Sequence, residues 1–303
     1  MTFVAPHGCD LEQEEHHDHH HRRHQRLGRL VVDELLTRGL PASELTVAVR
    51  TPEHAADLAT RGVTVCHADY DQPETLRPAF EGTDLLLLIP SAEFGKRSLQ
   101  ARAAVDAAVE AGVSLIAYAS FVNAETSTMR LADEHKQVEA HIRKSGLRHV
   151  FLRNGAYTEL YCGELGDLGP ALDAGVLVGS GGDGKVSGST RPDLAAAAAA
   201  VLLTEDPKDA YELGGTPFTP SDLAAEIARQ SGRPLVYQDL PVEAYAAGLA
   251  EHGVPRGFAE LLADTSFAIS RGDWYTESTD LTELIGRAPT PLADTVRAGL
   301  ANL

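Results

Sequence analysis

The sequence is poor in positive charge and in cysteine. Its 303 residues carry 26 Lys and Arg against 44 Asp and Glu, a formal net charge of −18 at pH 7. Such a surface repels phosphate backbones and anionic lipid headgroups, so we expect neither nucleic acid nor a membrane as a partner. The three cysteines, Cys9, Cys66 and Cys162, stand far apart without a C-x-x-C pair. This pattern predicts a reducing compartment and no disulfide.

Long hydrophobic runs are also missing. Apolar runs such as residues 85–89 are far shorter than the roughly 20 residues that span a bilayer, and no basic region followed by an apolar one opens the sequence. These observations lead us to expect a cytoplasmic protein. The 43% apolar and 23% charged residues are typical of a folded globular chain, here long enough for one large domain or two modest ones.

Between residues 28 and 153 helical patterns alternate with short apolar runs, as in βαβ units. The runs are apolar along both faces, which indicates a parallel sheet covered by helices on both sides, the doubly wound α/β architecture. From residue 154 the alternation lapses into a glycine-rich stretch and an alanine-rich helix, which predicts a smaller α+β domain over 154–303. The spacing predicts helices over 28–38, 53–61, 73–80 and 100–111, and strands over 45–49, 63–67, 84–89, 113–120 and 149–153.

Seven short motifs follow one another in the order found in a known family. They are Ala48-Val-Arg50, Ala68-Asp-Tyr70, residues 85–91, Ala117-Tyr-Ala-Ser120, Leu131-Ala-Asp-Glu-His135, Leu152-Arg-Asn-Gly155 and Ser189-Thr-Arg191. From about residue 27 onwards the chain resembles the NAD(P)H:quinone oxidoreductase branch of the NmrA-like, atypical short-chain dehydrogenase/reductases. The resemblance implies a Rossmann-like NAD(P)-binding domain over 1–153, a substrate-side domain over 154–303, and hydride transfer to quinone-like acceptors without flavin or metal.

One part of the family pattern is missing near the amino terminus. The family begins with a strand and a G-x-x-G-x-x-G turn, whose N–H groups and following helix hold the pyrophosphate of the cofactor. Here only Gly28 and its neighbours are left, preceded by an atypical segment, residues 1–26, with seven of the thirteen histidines. Side chains with a β-carbon enter such a turn at a cost and block the approach of the pyrophosphate.

Four interpretations of residues 1–26 stay open. Histidine-rich tracts bind zinc or nickel, although a consecutive run lacks the spacing of a tetrahedral site. An affinity tag is disfavoured, because Asp18 interrupts the run and the run is internal. A third interpretation is a solvated insertion between a short first strand, residues 2–5, and the helix at 28. The fourth is a shifted reading frame: written as CAC CGG CGC CAC, the codons of His21-Arg-Arg-His24 encode Thr-Gly-Ala-Thr when read one base later.

Parallel sheets bind ligands beyond the carboxyl ends of their strands, so the residues that follow the strands are the candidate cofactor contacts. Arg50 occupies the place where an NAD-specific enzyme has Asp or Glu on the ribose, and its guanidinium fits a 2′-phosphate. The arginine therefore favours NADPH over NADH, with an exposed loop arginine as the alternative. Asp69 and Tyr70 resemble the family's contacts on the adenine side.

The residues after the fourth strand are candidates for the nicotinamide end. By the resemblance, Ile89, Pro90 and Ser91 pass the nicotinamide ribose, and the fixed φ and missing N–H of proline suit a wall there. Phe94, in the following loop, is a candidate flat contact for an aromatic acceptor or a plain surface-loop residue.

Ser120, at the end of the fifth strand, is a further candidate cofactor contact, and a candidate pair for the proton step follows it. Ser120 occupies the place of the catalytic serine of ordinary short-chain dehydrogenases, but no Tyr-x-x-x-Lys follows, which disfavours alcohol dehydrogenase chemistry. His135 and Glu139 lie one helical turn apart on one face. With an ordinary pKa of about 6.5, His135 could protonate the reduced acceptor while Glu139 orients it. The alternative is a helix-surface histidine.

Three residues at the end of the sixth strand and after it are further candidates, Asn154 and Gly155 for the cofactor and Tyr157 for the acceptor. The amide of Asn154 can donate and accept hydrogen bonds at the nicotinamide carboxamide or the acceptor oxygen, and Gly155 permits close approach. Tyr157 is a candidate ring of the acceptor pocket, with packing between the two domains as the alternative.

Three functions stay open from the sequence. The first is an NADPH-dependent reductase of quinones or similar small aromatic electrophiles. The others are a non-catalytic NmrA-like regulator that senses NADP(H), and a variant that has lost cofactor binding with the glycine-rich loop. Neither the acceptor nor the oligomeric state is fixed, with a homodimer among the options. Quinone-dependent oxidation of NADPH distinguishes the first function from the second.

Overall fold

The computed structural model describes residues 2–4, 27–164, 168–301 and 303. The strands are β1 (Thr2–Val4), β2 (Thr46–Val49), β3 (Thr64–His67), β4 (Leu85–Leu88), β5 (Leu115–Phe121), β6 (Arg148–Asn154), β7 (Val176–Gly179), β8 (Val186–Ser187), β9 (Ala210–Leu213), β10 (Pro217–Phe218) and β11 (Val236–Asp239). Among these residues, seven strands form one sheet in the order β3-β2-β1-β4-β5-β6-β9. The predicted strands are therefore confirmed, with bounds shifted by one or two residues.

The first strand lies in the middle of the sheet. β1 is parallel to β2 on one side and to β4 on the other, so that Phe3 is opposite both Val47 and Leu87. The pairs β2–β3 and β4–β5 are parallel as well. The strand order reverses at β1, and a doubly wound sheet binds its ligand at such a reversal. The predicted α/β, Rossmann-like fold is confirmed.

Helices separate the strands of this sheet along the chain, and further helices follow its last strand. They are α1 (Leu27–Thr37), α2 (Ala56–Thr60), α3 (Leu76–Phe80), α4 (Arg97–Ala111), α5 (Arg130–Ser145), α6 (Leu168–Ala174), α7 (Arg191–Leu202), α8 (Pro220–Ser231), α9 (Val242–Glu251), α10 (Arg256–Ser270), α11 (Asp280–Ile285) and α12 (Leu292–Leu300). Turns of 3₁₀-helix, Pro52–Ala55 and Pro73–Thr75, lead into α2 and α3. In the described part of the chain, no helix is both long and apolar enough to cross a membrane.

α4 begins at Arg97, three residues before the predicted start. The carboxylate of Glu134, on α5, accepts hydrogen bonds from the backbone N–H groups of Ser98 and Gly95, at 3.2 and 3.3 Å. The first N–H groups of a helix have no partner within the helix, so this carboxylate stabilises the additional turn. A cap that comes from another helix is invisible in the local sequence pattern.

The chain divides into two compact units, and each unit is discontinuous in sequence. The first unit includes residues 2–4, 27–120, Glu134–Leu152 and Ala195–Tyr211, and the second includes Phe121–Asp133, Arg153–Leu194 and Glu212–Leu303. The division into domains 1–153 and 154–303 stays a prediction, whereas these compact units exchange residues 121–133 and 195–211. The reason is that β9 joins the main sheet, where the N–H of Phe151 donates to the carbonyl of Asp209 at 2.8 Å.

Each unit has its own hydrophobic core. In the first unit, the buried side chains of β4 and β5, such as Leu86 and Ile116, pack with Phe80 of α3 and with a row of alanines on α4. Alanines permit a helix to approach a sheet closely, so the functional side chains at the ends of these strands stand on a rigid support. The second unit packs Phe121 and Trp274 with their ring centroids 4.5 Å apart.

Candidate active site

The cofactor contacts expected from the sequence lie at one edge of the main sheet. Arg50 follows β2, Asp69 and Tyr70 follow β3, and Ile89 to Ser91 follow β4. Because these strands are parallel, their carboxyl ends share an edge. The structure thus brings these residues to the edge at which doubly wound sheets bind nucleotides.

Gly28 is buried in the first turn of α1, the helix that follows β1 in the chain. A helix in this place holds a pyrophosphate at its N-terminus in dinucleotide-binding folds. Residues 5–26, and with them nearly all of the His-rich segment, lie outside the described residues. All four interpretations of that segment therefore stay predictions. Among the described residues, no group of three His, Cys, Asp or Glu side chains could hold a metal ion.

Asp69 and Tyr70 are both buried after β3. The carboxylate of Asp69 accepts hydrogen bonds from the N–H of Asp71 at 2.9 Å and from Nε2 of Gln72 at 3.1 Å, so it closes its own turn. The hydroxyl of Tyr70 donates to the carbonyl of Ile89 at 3.1 Å and thereby joins the ends of β3 and β4. Burial raises the pKa of Tyr70 well above its ordinary value, so its hydroxyl stays protonated.

The turn after β4 is held by hydrogen bonds from α4. The Ser91 hydroxyl donates to Oε1 of Gln100 at 2.5 Å, and Nε of Arg97 donates to the Ser91 carbonyl at 2.7 Å. Ile89 and Pro90 are half-buried beside it. Phe94, in the loop that leads to α4, is 43% exposed.

The structure corrects the expected state of His135. The sequence predicts an ordinary pKa of about 6.5 for His135 and leaves a surface position open, but the side chain is 6% exposed. Burial, together with the positive charge of Arg97, lowers the pKa of His135 to about 3. The imidazole is therefore neutral at pH 7, and the expectation of a histidine charged near neutral pH is wrong.

The hydrogen bonds of His135 define its tautomer. Nε2 lies 3.3 Å from Nη1 of Arg97, and Nδ1 lies 2.9 Å from the hydroxyl of Tyr118, on β5. A guanidinium only donates hydrogen bonds, so Nε2 accepts, and Nδ1 carries the proton and donates to Tyr118. The burial of Tyr118, which is fully enclosed, raises the pKa of its hydroxyl.

Ser120 and Glu139 contact one another directly. The Ser120 hydroxyl donates to Oε1 of Glu139 at 2.6 Å, and Nη2 of Arg143 donates to Oε2 at 3.2 Å. Glu139 is only 1% exposed. The spacing along α5 predicts that Glu139 orients His135, whereas these two contacts make the carboxylate the anchor of the serine at the end of β5.

Two of the candidates after β6, Asn154 and Gly155, follow one another in the second unit. Asn154 is 6% exposed, and no hydrogen bond joins its carboxamide to any residue that the structure describes. Its amide atoms are not among the fully enclosed polar atoms that lack a partner, so they are accessible to a ligand. The missing β-carbon of Gly155 serves the protein itself, because a Cβ there would lie 2.3 Å from the carbonyl oxygen of Ser187.

The third candidate, Tyr157, is half-buried and forms a bridge with Ser189. The guanidinium of Arg191 lies over its ring, 4.6 Å from the centroid. This cation–π contact fixes the plane of the ring.

The sequence does not predict the role of four residues of this network: Tyr118, Arg97, Gln100 and Glu134. Only Tyr118 left a usable signal, since it is a hydroxyl-bearing residue inside an otherwise apolar strand, and a buried hydroxyl demands a partner. The three residues on α4 and α5 lie in sequences that read as ordinary charged helix faces. Their roles depend on which helices pack together, and no local pattern shows that.

Comparison with known proteins places this arrangement in a family. A family model described as NAD(P)H-binding matches residues 24–205. The chain therefore belongs to the NAD(P)H-binding family, whose match covers β2 to β6 and the strand-end residues described above.

The relatives define the branch more closely. Quinone oxidoreductase 2 of Escherichia coli (strain K12) is 42% identical over 89% of this chain and 94% of its own length. The crystal structure of the NADPH-dependent quinone oxidoreductase of Escherichia coli in complex with NADPH superposes with a TM-score of 0.87 at 38% identity, covering 98% of this chain and 99% of the other. The triphenylmethane reductase of Citrobacter sp., in complex with NADP(H), gives 0.84 at 38% identity over 90% and 96%. The resemblance noted from the motifs is confirmed.

Proposed function

We propose that the chain is an NADPH-dependent oxidoreductase that reduces quinones or similar small aromatic electrophiles. The observation that carries this proposal is the similarity over nearly the full length of both chains to the Escherichia coli enzyme with NADPH bound. When bound, NADPH supplies a hydride, which is two electrons and one proton. A quinone that accepts it takes one further proton to become the hydroquinone, and NADP⁺ leaves.

The residues present at the sheet edge fit this cofactor. Arg50 follows β2, where a guanidinium pairs with a 2′-phosphate and an NAD-specific enzyme has a carboxylate. Gly28 lies in the first turn of the helix after the central strand, where a pyrophosphate binds, and the turn that leads into this helix lies outside the described residues. We propose that Asp69 and Tyr70 shape the adenine side, and that Ile89, Pro90 and Ser91 form the wall along the nicotinamide ribose.

For the nicotinamide and acceptor end we propose Asn154 first. Its carboxamide forms no hydrogen bond to the described residues and is not among the fully enclosed polar atoms without a partner, so it is available to the nicotinamide amide or to the acceptor oxygen. Gly155 fixes the backbone next to it through its close packing on Ser187. The exposed ring of Phe94 and the ring of Tyr157, held by Arg191, are proposed flat contacts for an aromatic acceptor.

The proton step makes little demand on the protein. His135 is neutral and enclosed, so we propose that the reduced acceptor takes its proton from solvent. His135 and Glu139 then act by positioning: one through Arg97 and Tyr118, the other through Ser120. Reduction of a quinone tolerates this arrangement, because the anion of the product is stabilised by its aromatic ring and reacts readily with water.

Two measurements test the proposal. The purified chain is titrated calorimetrically with NADPH and then with NADH, and oxidation of NADPH is followed with and without 1,4-benzoquinone. We expect micromolar binding of NADPH, weaker binding of NADH, and oxidation that depends on the quinone. Binding of NADPH without turnover would contradict the reductase and favour a cofactor sensor. If the folded chain binds neither nucleotide, residues 1–26 prevent the binding of the cofactor. A cytoplasmic location and a homodimer stay predictions.

A further inference from the structure

A buried polar chain connects the core of the sheet to the turn after β4. It runs from the Tyr118 hydroxyl to Nδ1 of His135 (2.9 Å), from Nε2 of His135 to Nη1 of Arg97 (3.3 Å), and from Nε of Arg97 to the carbonyl of Ser91 (2.7 Å). All four residues are less than 10% exposed. The chain ends on a backbone carbonyl, so it acts on the conformation of the turn itself.

A second connection holds the same turn from the side of β3. The Ser91 hydroxyl donates to Oε1 of Gln100, and Nε2 of Gln100 donates to the carboxylate of Asp71 at 2.9 Å. Asp71 is held in turn by the carboxylate of Asp69 through its backbone N–H. The side chain and the carbonyl of Ser91 are thus fixed by two neighbouring turns of α4, which leaves the serine little freedom to rotate.

The buried position of Arg97 is unfavourable in free energy for a charged side chain. It is 9% exposed, and a buried guanidinium costs several kcal/mol unless its donors are satisfied. It also stands in the first turn of α4, where the helix dipole disfavours positive charge. A leucine or methionine would fill the space at less cost, so the guanidinium is explained by what it holds.

We propose that Arg97, held by the imidazole of His135, is a positioning residue that sets the backbone of Ile89, Pro90 and Ser91 and thereby the nicotinamide end of NADPH. The inference rests on the proposed function, because it is the bound cofactor that makes this turn matter. Arg97 does not touch the reacting atoms. It acts through Ser91, and its effect concerns the geometry of hydride transfer, where a displacement of about 1 Å costs about 100-fold in rate.

The variants separate this role from proton donation. Arg97→Met removes the donors and keeps the bulk, and Arg97→Lys keeps one donor. His135→Gln retains an amide oxygen that can accept from Arg97, whereas His135→Ala does not. His141→Ala is the matched control, because His141 is a half-buried histidine on the same helix whose Nε2 contacts Asp106 at 2.6 Å. Each variant is measured for kcat and KM with 1,4-benzoquinone, and for calorimetric affinity for NADPH and for 2′,5′-ADP.

The probe 2′,5′-ADP contains the adenine half of the cofactor and the 2′-phosphate, but no nicotinamide. We expect Arg97→Met to lower kcat about tenfold or more and to weaken NADPH binding, with the affinity for 2′,5′-ADP within about twofold of the parent. Arg97→Lys should lie between. His135→Gln should retain most of the turnover that His135→Ala loses.

Three results would overturn the inference. Equal losses of kcat in His135→Gln and His135→Ala would contradict the role of the imidazole as the acceptor that holds Arg97. A parallel loss of affinity for 2′,5′-ADP would make Arg97 a general support of the fold. An unchanged Arg97→Met would show that the turn needs no arginine. If the parent chain binds NADPH without reducing the quinone, the proposed function fails by itself, and the ratio of NADPH to 2′,5′-ADP affinity still decides the role of Arg97.

Discussion

Ser120 donates a 2.6 Å hydrogen bond to Glu139, a carboxylate that is almost completely enclosed and also accepts from Arg143. In an ordinary short-chain dehydrogenase the serine in this place faces the substrate. Here its proton is committed to a carboxylate on α5. The end of β5 is therefore stabilised from inside the protein, and the serine is left with only acceptor capacity for a ligand.

This contact predicts that two variants of Glu139 lose different amounts of stability. Glu139→Ala leaves the buried hydroxyl of Ser120 without its acceptor, so we expect the free energy of unfolding to fall by about 3 kcal/mol. Glu139→Gln retains an acceptor oxygen and should lose about 1 kcal/mol. Urea denaturation of both variants checks this, and equal losses would contradict an acceptor role for the carboxylate.

Arg50 is expected to select between the two nicotinamide cofactors. Because a guanidinium paired with phosphate contributes about 1.5 to 3 kcal/mol, Arg50→Ala should raise KM for NADPH by about 10- to 100-fold and leave KM for NADH nearly unchanged. Arg77→Ala, which removes an exposed arginine on α3, is the control for net charge. Loss of affinity for both cofactors alike would contradict recognition of the 2′-phosphate.

His135 should make the fold sensitive to mild acid. Its pKa of about 3 in the folded chain lies below the value of about 6.5 in the unfolded chain, so the unfolded chain takes up a proton first as the pH falls. Stability then decreases from about pH 6.5 downwards, by roughly 2 kcal/mol at pH 5. His135→Gln lacks this contribution. The nearby groups Arg97, Tyr118, Glu134 and Glu139 are common to both proteins. Urea denaturation at pH 7.5 and pH 5 therefore gives the contribution of His135 as the difference between the two proteins in their loss of stability. An equal loss in both would contradict the neutral, buried state of His135.

Asn154 offers a test in the second unit. Its carboxamide has no hydrogen bond to the described residues, so Asn154→Leu should keep the thermal midpoint within a few degrees. If the amide contacts the nicotinamide or the acceptor, kcat/KM falls by about tenfold. A large loss of stability with unchanged kinetics would identify the amide as a structural group instead.

The shifted-frame interpretation of residues 21–24 can be tested at the protein level. The variant His21→Thr, Arg22→Gly, Arg23→Ala and His24→Thr restores the residues that the displaced frame encodes. It should bind NADPH more tightly than the parent chain, because glycine admits the pyrophosphate to the backbone N–H groups. Sequencing of the 5′ end of the gene gives an independent answer. An unchanged affinity together with a confirmed frame would favour a natural insertion.

The sequence predicts the fold well because its strands are continuous apolar runs and its helices carry local start signals. The start of α8 is an example: Thr219 is a cap residue followed by proline, and its side chain forms a reciprocal capping box with that of Asp222. The sequence does not predict the early start of α4 or the burial of His135. Both depend on contacts between α4 and α5, and helix faces that read as charged and solvated give no sign of such contacts.

The exchange of segments between the two units has a consequence for synthesis. β1 is synthesised before the other strands, but the main sheet is complete only when β9, residues Ala210–Leu213, has also been synthesised. A fragment that stops at residue 153 would expose the edge of β6, including the N–H of Phe151 that pairs with Asp209. Such an edge invites pairing with other chains. We therefore expect a fragment that ends at residue 153 to aggregate, because the edge of β6 is covered only when β9 has been made.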